Sequence, residues 1–440
     1  MNCIELTITA HAPLALGRQK PGGSVSESES YIPGSTIRGA IAGHILQAAN
    51  QRNADFSTNG GDFQSLFLDP EVAIFQNAYP AIARISSHEL AFAQEPIRVL
   101  PATALSSKEN SGFKSHGQPE EQQTGGVFDT LLDRYCAEQC GQVYDPSCPR
   151  DRGRVEPYGG FYSRTDRQLQ DGEYRYRRHG APTRFLTRVG INRRRATAQD
   201  DMLYGIEVLN ESFLRNTQDK YPKWEYLTYR SYIWLQDADL ANDVQTYINR
   251  HAQTFRLGGS VSRGLGRVVL NAKLQPSVSD VQTRVQDFNA KLQERWQLWS
   301  ALLSPDRSSL PARTFFALAF QSEAILTDQW QRTMVVFPSM LNGINGMQDS
   351  DLQLHASYAS YDYRNGWNAA WGLMKETELI TNRGSTFLLS INTPKAWNKN
   401  DWIAALDELE IKGLGDRTAE GFGQVRICDE FHTIVRENAV

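Results

Sequence analysis

The stretch that decides the fold is Leu257-Gly258-Gly259-Ser260-Val261-Ser262-Arg263-Gly264-Leu265-Gly266-Arg267, because it has a near twin in Lys412-Gly413-Leu414-Gly415-Asp416-Arg417-Thr418-Ala419-Glu420-Gly421-Phe422-Gly423-Gln424-Val425. The shared pattern is Gly-x-x-x-x-Gly-Leu-Gly against Gly-x-x-x-x-x-Gly-Phe-Gly. Each copy follows an amphipathic helix, Asp239 to Phe255 (Leu240, Val244, Tyr247, Ile248) and Asp401 to Leu409, and each runs into an apolar strand. Far upstream, Ile4, Leu6 and Ile8 alternate with Glu5, Thr7 and Thr9, the period of a strand with one buried face, and Thr314 to Leu326 resembles it. The opening strands lie 310 residues apart and the glycine loops 157 apart, so this is a duplication whose first copy carries 153 extra residues, between about 50 and 205. Two unrelated strands ending in glycine turns are the alternative, and the common flanking order favours duplication. Ser277 to Leu303, with Val281, Val285, Phe288, Leu292, Trp296 and Trp299 at three- and four-residue steps, predicts a helix bridging the halves.

A strand-helix-strand-strand-helix-strand unit is the ferredoxin-like plan. The expected class is therefore α+β: an N-terminal domain over residues 1–275 with the insertion, a helical linker over 276–312, and a C-terminal domain over 313–440. The 440 residues, 40% hydrophobic, exclude a disordered or fibrous chain. A net charge of −4 argues against a globally basic nucleic-acid binder and leaves a local basic surface open. Met1-Asn2-Cys3-Ile4-Glu5-Leu6 has no basic n-region, nowhere do 18 apolar residues run together, and five cysteines make no disulfide framework. A cytoplasmic protein with no membrane partner is expected.

Glycines let backbone amides approach a ligand and converge into an anion nest, and arginines add charge-assisted contacts to phosphate. The loops suit a nucleic-acid backbone. Gly259 to Gly264 has the Walker glycine spacing, but Leu265 stands where the lysine must be. In Tyr31-Ile32-Pro33-Gly34-Ser35-Thr36-Ile37-Arg38-Gly39-Ala40, Ser35 or Thr36 is expected to cap a helix continuing through 37, 41 and 45.

Ile32-Pro33-Gly34-Ser35-Thr36-Ile37-Arg38-Gly39, paired with Gly259 to Gly266, resembles the signature pair of the RAMP superfamily, the repeat-associated proteins of CRISPR effector complexes. The Gly421-Phe422-Gly423 loop resembles that superfamily's C-terminal glycine loop. Arg188-Val189-Gly190-Ile191-Asn192-Arg193, then Ala196-Thr197-Ala198 and Met202-Leu203-Tyr204, is similar to a segment of large type III-D subunits, the Csx-ten group, with Asn192 departing from the commoner Asp. The resemblance implies two ferredoxin-like (RRM-like) domains and a non-catalytic subunit binding CRISPR RNA and target RNA beside RAMP backbone subunits and a large Cas-ten-like subunit. Ser35, Thr36, Arg38, Gly259, Ser260, Ser262, Arg263, Gly264, Arg267 and Arg417 would lie on the RNA. An ordinary capped helix is the alternative for the first three.

Arg150 to Arg195 holds thirteen arginines, no lysine and five acids, a local net of +8 that leaves about −12 for the rest. Tyr158, Phe161, Tyr162, Tyr174, Tyr176 and Phe185 are interspersed, the mixture that phosphate contact and base stacking use. Arg175 and Arg177 alternate with Tyr174 and Tyr176 as on a hairpin with one basic and one aromatic face, and Arg178, Arg193, Arg194 and Arg195 complete the expected RNA contacts. A solvated hairpin against acidic neighbours in a complex is the alternative. Cys136 and Cys140 share a helix face and Cys148 follows; with His116 or His179 they match a structural zinc of the kind some RAMP backbone subunits carry, against buried free cysteines. Target-cleaving relatives use an aspartate in the loop that here is Gly17 to Tyr31, which has only Glu27 and Glu29 as acids. An endoribonuclease using these, or a histidine such as His11 or His44, is the enzyme alternative, and a purely protein-contacting scaffold the third. Asn59-Gly60-Gly61-Asp62 reads as a turn.

Overall fold

The computed structural model describes every residue except 19–26, 52–53, 70–71, 193, 195–196, 277–278, 304–309, 342–350, 369–371 and 393–398. The alternation at the N-terminus becomes β1 (Asn2–Ala10), with Ile4, Leu6 and Ile8 fully buried. The chain continues through α1 (Gly34–Ala48), α2 (Gly61–Phe67) and β2 (Ala73–Phe75) into the insertion. There it forms β3 (Ile82–Arg84), β4 (Leu90–Phe92), β5 (Arg98–Val99), α3 (Leu131–Gln139), β6 (Phe161–Arg164), β7 (Tyr176–His179) and a long hairpin of β8 (Thr183–Asn192) and β9 (Thr197–Leu209). Then β10 (Thr228–Leu235), α4 (Ala238–Arg250) and β11 (Val268–Gln275) return to the first sheet, which runs β11-β1-β10-β2 with Tyr79–Pro80 added beside β10. Asp237 caps α4 by accepting from the Leu240 amide at 2.8 Å, and Ala241, Val244 and Ile248 turn into the core that β1 and β10 share.

The second half holds α5 (Val281–Leu303), β12 (Thr314–Phe320), β13 (Leu352–Tyr358), β14 (Tyr361–Arg364), β15 (Glu378–Thr381), β16 (Thr386–Ile391), α6 (Lys399–Lys412) and β17 (Val425–Ile427). Its sheet runs β17-β12-β16-β13. The two antiparallel sheets thus follow one plan, with the first strand flanked by the last. The register repeats too: Ile8 stands opposite Leu270, and Leu318, 310 residues on, stands opposite Ile427, 157 residues on.

The helix expected between the halves is α5, and it is packed into a core: Val281, Val285, Phe288, Leu292 and Trp296 share one core with Phe315 and Phe316 of β12, Leu406 of α6, and Leu131, Leu132 and Tyr135 of α3. The insertion of the first half is stitched into the core of the second, and each such side chain contributes about 2 kcal/mol of apolar burial. One expectation needs correction: neither Ser35 nor Thr36 caps α1. Pro33 is the N-cap and makes no side-chain bond; the Gly34 amide instead donates to Asn77 Oδ1 at 2.8 Å, a cap delivered from 43 positions away.

Candidate nucleic-acid interface

The two glycine loops have one backbone conformation. Left-handed φ values fall at Gly258, Ser260, Gly264 and Gly266 (84°, 57°, 85°, 84°) and, 157 residues on, at Gly415, Arg417, Gly421 and Gly423 (97°, 59°, 93°, 66°). Their anchoring bonds match: Gly259 N donates to Ala15 O at 2.8 Å and Asp416 N to Ile325 O at 2.9 Å; Gly266 N donates to Pro13 O at 2.9 Å and Gly423 N to Glu323 O at 2.8 Å. These bonds limit what an anion nest could use. The amides of Gly259, Arg263, Gly264 and Gly266 are spent on the chain's own carbonyls, and the glycines are needed for close passage: a Cβ on Gly258 would stand 2.5 Å from Ala15 O.

What the first loop offers outward is side chains. Ser262, Arg263 and Arg267 are exposed, as is Arg256 just before the loop, and Ser260 is half-buried. No ion pair to Arg256, Arg263 or Arg267 is found among the described residues. The Arg263 guanidinium lies over the Tyr204 ring of β9, 5.1 Å from its centroid. Leu265 packs with Ala15 and Val208, flanked by Leu186 and Ile206, so the base of the β8–β9 hairpin is fixed to the loop. Arg188, half-buried, and exposed Arg194 extend the basic face along the hairpin. Arg193 and Arg195 lie outside the described residues.

The second loop faces inward. Gly421 packs against the start of α1, where a Cβ would be 2.7 Å from Asn77 Oδ1, 2.9 Å from Phe75 O and 3.2 Å from the Gly34 Cα. Arg417, expected on RNA, is bound to Glu420 at 2.6 Å and lies 4.9 Å from the Phe422 ring, while Lys375 reaches the same carboxylate at 3.2 Å. Burial would raise the Glu420 pKa, but its bonds to Arg417 and Lys375 outweigh that and hold it below the usual range. Arg38 donates to the Phe67 carbonyl, and Ser35 and Thr36 are half-buried in the same seam. The signature stretch therefore joins the halves.

That seam contains polar residues that sequence reasoning missed. Tyr31 Oη donates to Glu323 Oε2 at 2.7 Å and accepts from Arg364 Nη1 at 3.0 Å; Arg364 also meets Glu29 at 3.0 Å, and Arg383 meets Glu323 at 3.3 Å while lying over the Tyr31 and Phe161 rings. Burial raises the Glu323 pKa, yet Arg383 and Arg364 more than offset it and hold the carboxyl below its ordinary range. Their one cue in the sequence is Ser322-Glu323 ending the apolar run of β12. Glu29, a catalytic candidate, is thus buried in an interlobe ion pair, whereas Glu27 is exposed on the short strand Glu27–Ser28. His44 is held between the Tyr247 and Thr254 hydroxyls at 2.8 Å each, and His11 stacks on Tyr226.

The arginine-rich segment is less basic at its surface than its count implies. Arg177 is 3% exposed, between Glu95 at 3.6 Å and Glu173 at 3.7 Å, on the face of β7 opposite Tyr176. Arg164 and Arg175 meet Asp166 at 3.0 and 3.5 Å, Arg167 meets Glu173 at 3.0 Å, and Arg184 meets Glu211 at 2.8 Å. Phe161, Tyr162 and Tyr176 are buried, leaving Phe185 as the strongly exposed ring. Tyr174 and Tyr176 line one cavity, but Arg175 and Arg177 are matched by acids and make no open basic face; Arg178 is exposed and lies over Tyr158.

The zinc donors do not fit a metal. Among the described residues no group of three or more His, Cys, Asp or Glu is placed to hold one. Cys136 is fully buried in the α3–α5 core, where burial pushes its thiol up to about 12; Cys148 points at the Gly125 carbonyl at 3.9 Å, Cys140 is half-buried and His116 is exposed. Among the described residues no helix is long and apolar enough to cross a membrane.

Comparison with known proteins agrees with the signature pair. No curated protein matches the chain. It is similar to a chain of the type III-B Cmr-beta complex bound to cognate target RNA and AMPPnP (13% identity, 87% of this chain and 86% of that one, TM-score 0.36). It is also similar to oligomeric Cmr4 from Pyrococcus furiosus (11%, 62% and 99%, 0.26) and to a Cas6 product complex (13%, 47% and 78%, 0.26). The RAMP superfamily model matches residues 7–269, from β1 through α1, the insertion and the first glycine loop into β11. Covering more than half of the sequence and both halves of the signature pair, that match makes the chain a member of the RAMP superfamily.

Proposed function

We propose that this protein is a CRISPR RNA-binding, non-catalytic subunit of a type III-D interference complex, built of two ferredoxin-like lobes over about 1–275 and 313–440. RNA lies along the first glycine loop and the β8–β9 hairpin, contacting Arg256, Ser262, Arg263, Arg267 and Arg188, with Tyr204 for stacking. The observation that carries this reading is the set of guanidiniums around the first loop that have no carboxylate partner among the described residues, beside an arginine–tyrosine pair fixed to the hairpin. The subtype rests on the resemblance of the Arg188–Tyr204 segment to type III-D subunits. Partners are the guide RNA, its target and neighbouring subunits.

The test is RNA binding by the chain assembled with its neighbours, followed against salt. Removing Arg256, Arg263 and Arg267 together should lower affinity and flatten the salt dependence by nearly one unit of slope per lost phosphate contact. An unchanged slope refutes the placement. Labelled target RNA incubated with the complex, with and without magnesium, checks the non-catalytic reading: a cut that disappears in E27Q would replace it with the endoribonuclease.

A further inference from the structure

The insertion's five-stranded sheet, β4-β3-β7-β6-β5, borders a cavity of about 490 Å³. Arg84 of β3 and Arg178 of β7 line it, with Phe113, Tyr158, Tyr174 and Tyr176. His179 pairs with Ala83 across the antiparallel ladder, so Arg84 and Arg178, one residue on and one residue back, are neighbours on the same face. Like charges placed opposite each other destabilise a sheet. Several other arginines of the insertion are matched by acids, as in the pairs Arg164–Asp166, Arg167–Glu173 and Arg184–Glu211. Arg84 and Arg178 have no carboxylate partner among the described residues, and neither Asp nor Glu lines the cavity. Its third basic residue, His179, is buried and stays neutral, burial driving its pKa down to about 3. The cavity therefore holds two adjacent cations with no counter-ion, beside tyrosine rings, one of which, Tyr158, already lies under the Arg178 guanidinium at 5.2 Å.

We propose that this cavity binds a nucleoside phosphate, with Arg84 and Arg178 on the phosphate and the tyrosine rings against the base. Guanidinium forks match phosphate oxygens, aromatic faces accept any base, and the volume lies in the range of small-molecule sites. The ligand is either a free nucleotide or the phosphorylated end of an RNA strand. The site shares no residue with the glycine loops and stands apart from the function proposed above.

Labelled AMP and a short 5′-phosphorylated RNA, each beside its unphosphorylated counterpart, are titrated against the full chain and its variants. Saturable binding is expected, weakened at least about tenfold by R84A, by R178A and by loss of the phosphate. The melting temperature of R84A should stay level or rise, since the substitution relieves a repulsion. Tight AMP binding identifies the free nucleotide; binding of the phosphorylated RNA alone, lost in the same variants, identifies the strand end. The proposal is overturned if neither probe binds, or if the R84A/R178A double variant binds both as the parent does. Because the variant lacking Arg256, Arg263 and Arg267 should keep AMP binding, loss there with retention in R84A/R178A would reject the cavity and leave the loop interface standing.

Discussion

The two glycine loops share a backbone, a 157-residue displacement and equivalent anchoring carbonyls, yet they do opposite things. The first leaves Arg256, Arg263 and Arg267 in solvent without carboxylate partners among the described residues. The second closes over Gly34, ties Arg417 to Glu420 and forms part of the joint between the lobes. A conserved loop geometry is thus a platform, and the side chains mounted on it, with whatever it is pressed against, decide whether it meets a ligand or another part of the protein.

Gly264 and Gly421 offer the sharpest way to break this comparison, being equivalent positions with φ of 85° and 93°. A Cβ at Gly264 meets nothing within 4 Å, whereas at Gly421 it collides with Asn77 and Phe75. G421A should cost about 4 kcal/mol, backbone strain plus overpacking, and G264A about 1 kcal/mol. Equal losses in denaturant melts would mean that the second loop is not docked.

The joint itself is tested by E323Q, which leaves Arg364 and Arg383 buried around a neutral amide and should cost about 3 kcal/mol at neutral pH. The Glu323 pKa is lower in the folded than in the unfolded chain. Its stabilisation is therefore in place above the ordinary glutamate range and fades as pH falls through the folded value, so E323Q should show a shallower acid decline than the parent. Identical acid profiles would place the charge elsewhere.

For RNA, R263A and R267A should each weaken binding by about 1 kcal/mol and reduce the salt slope, whereas R417A should leave the slope unchanged. A lower slope in R417A would put the second loop on RNA as well. The smallest expected effect concerns the left-handed residues Ser260 and Arg417, at φ of 57° and 59°. S260G should gain about 0.5 kcal/mol by relieving strain, while R417G should gain nothing because it also loses the bond to Glu420. A gain in both, read from melting temperatures, would mean that the Arg417–Glu420 pair adds no stability.

Much of the framework was legible in the chain. The alternation of Ile4, Leu6 and Ile8 predicts β1, the steps through Val244 and Ile248 predict α4, and the displacements of 310 and 157 reappear as strand register and loop contacts. The site was less so. Arg177, Tyr162 and Tyr176 read as an RNA surface and are buried, because a count of charges and rings does not say which acid from Glu95 to Glu173 will face them. Cys136 reads as a metal ligand and packs in the α3–α5 core instead.

By itself the sequence determined what is local or periodic: strand and helix faces, the left-handed loop pattern that glycine permits, the duplication and the family signature. Tertiary structure decided which copy of the loop stays open, that Asn77 caps α1, that Glu29 and Glu323 hold the lobes together, and which arginines keep their charge unmatched. Those outcomes depend on contacts between residues tens to hundreds of positions apart, where burial and charge pairing are set by the packed neighbour, which no local pattern encodes.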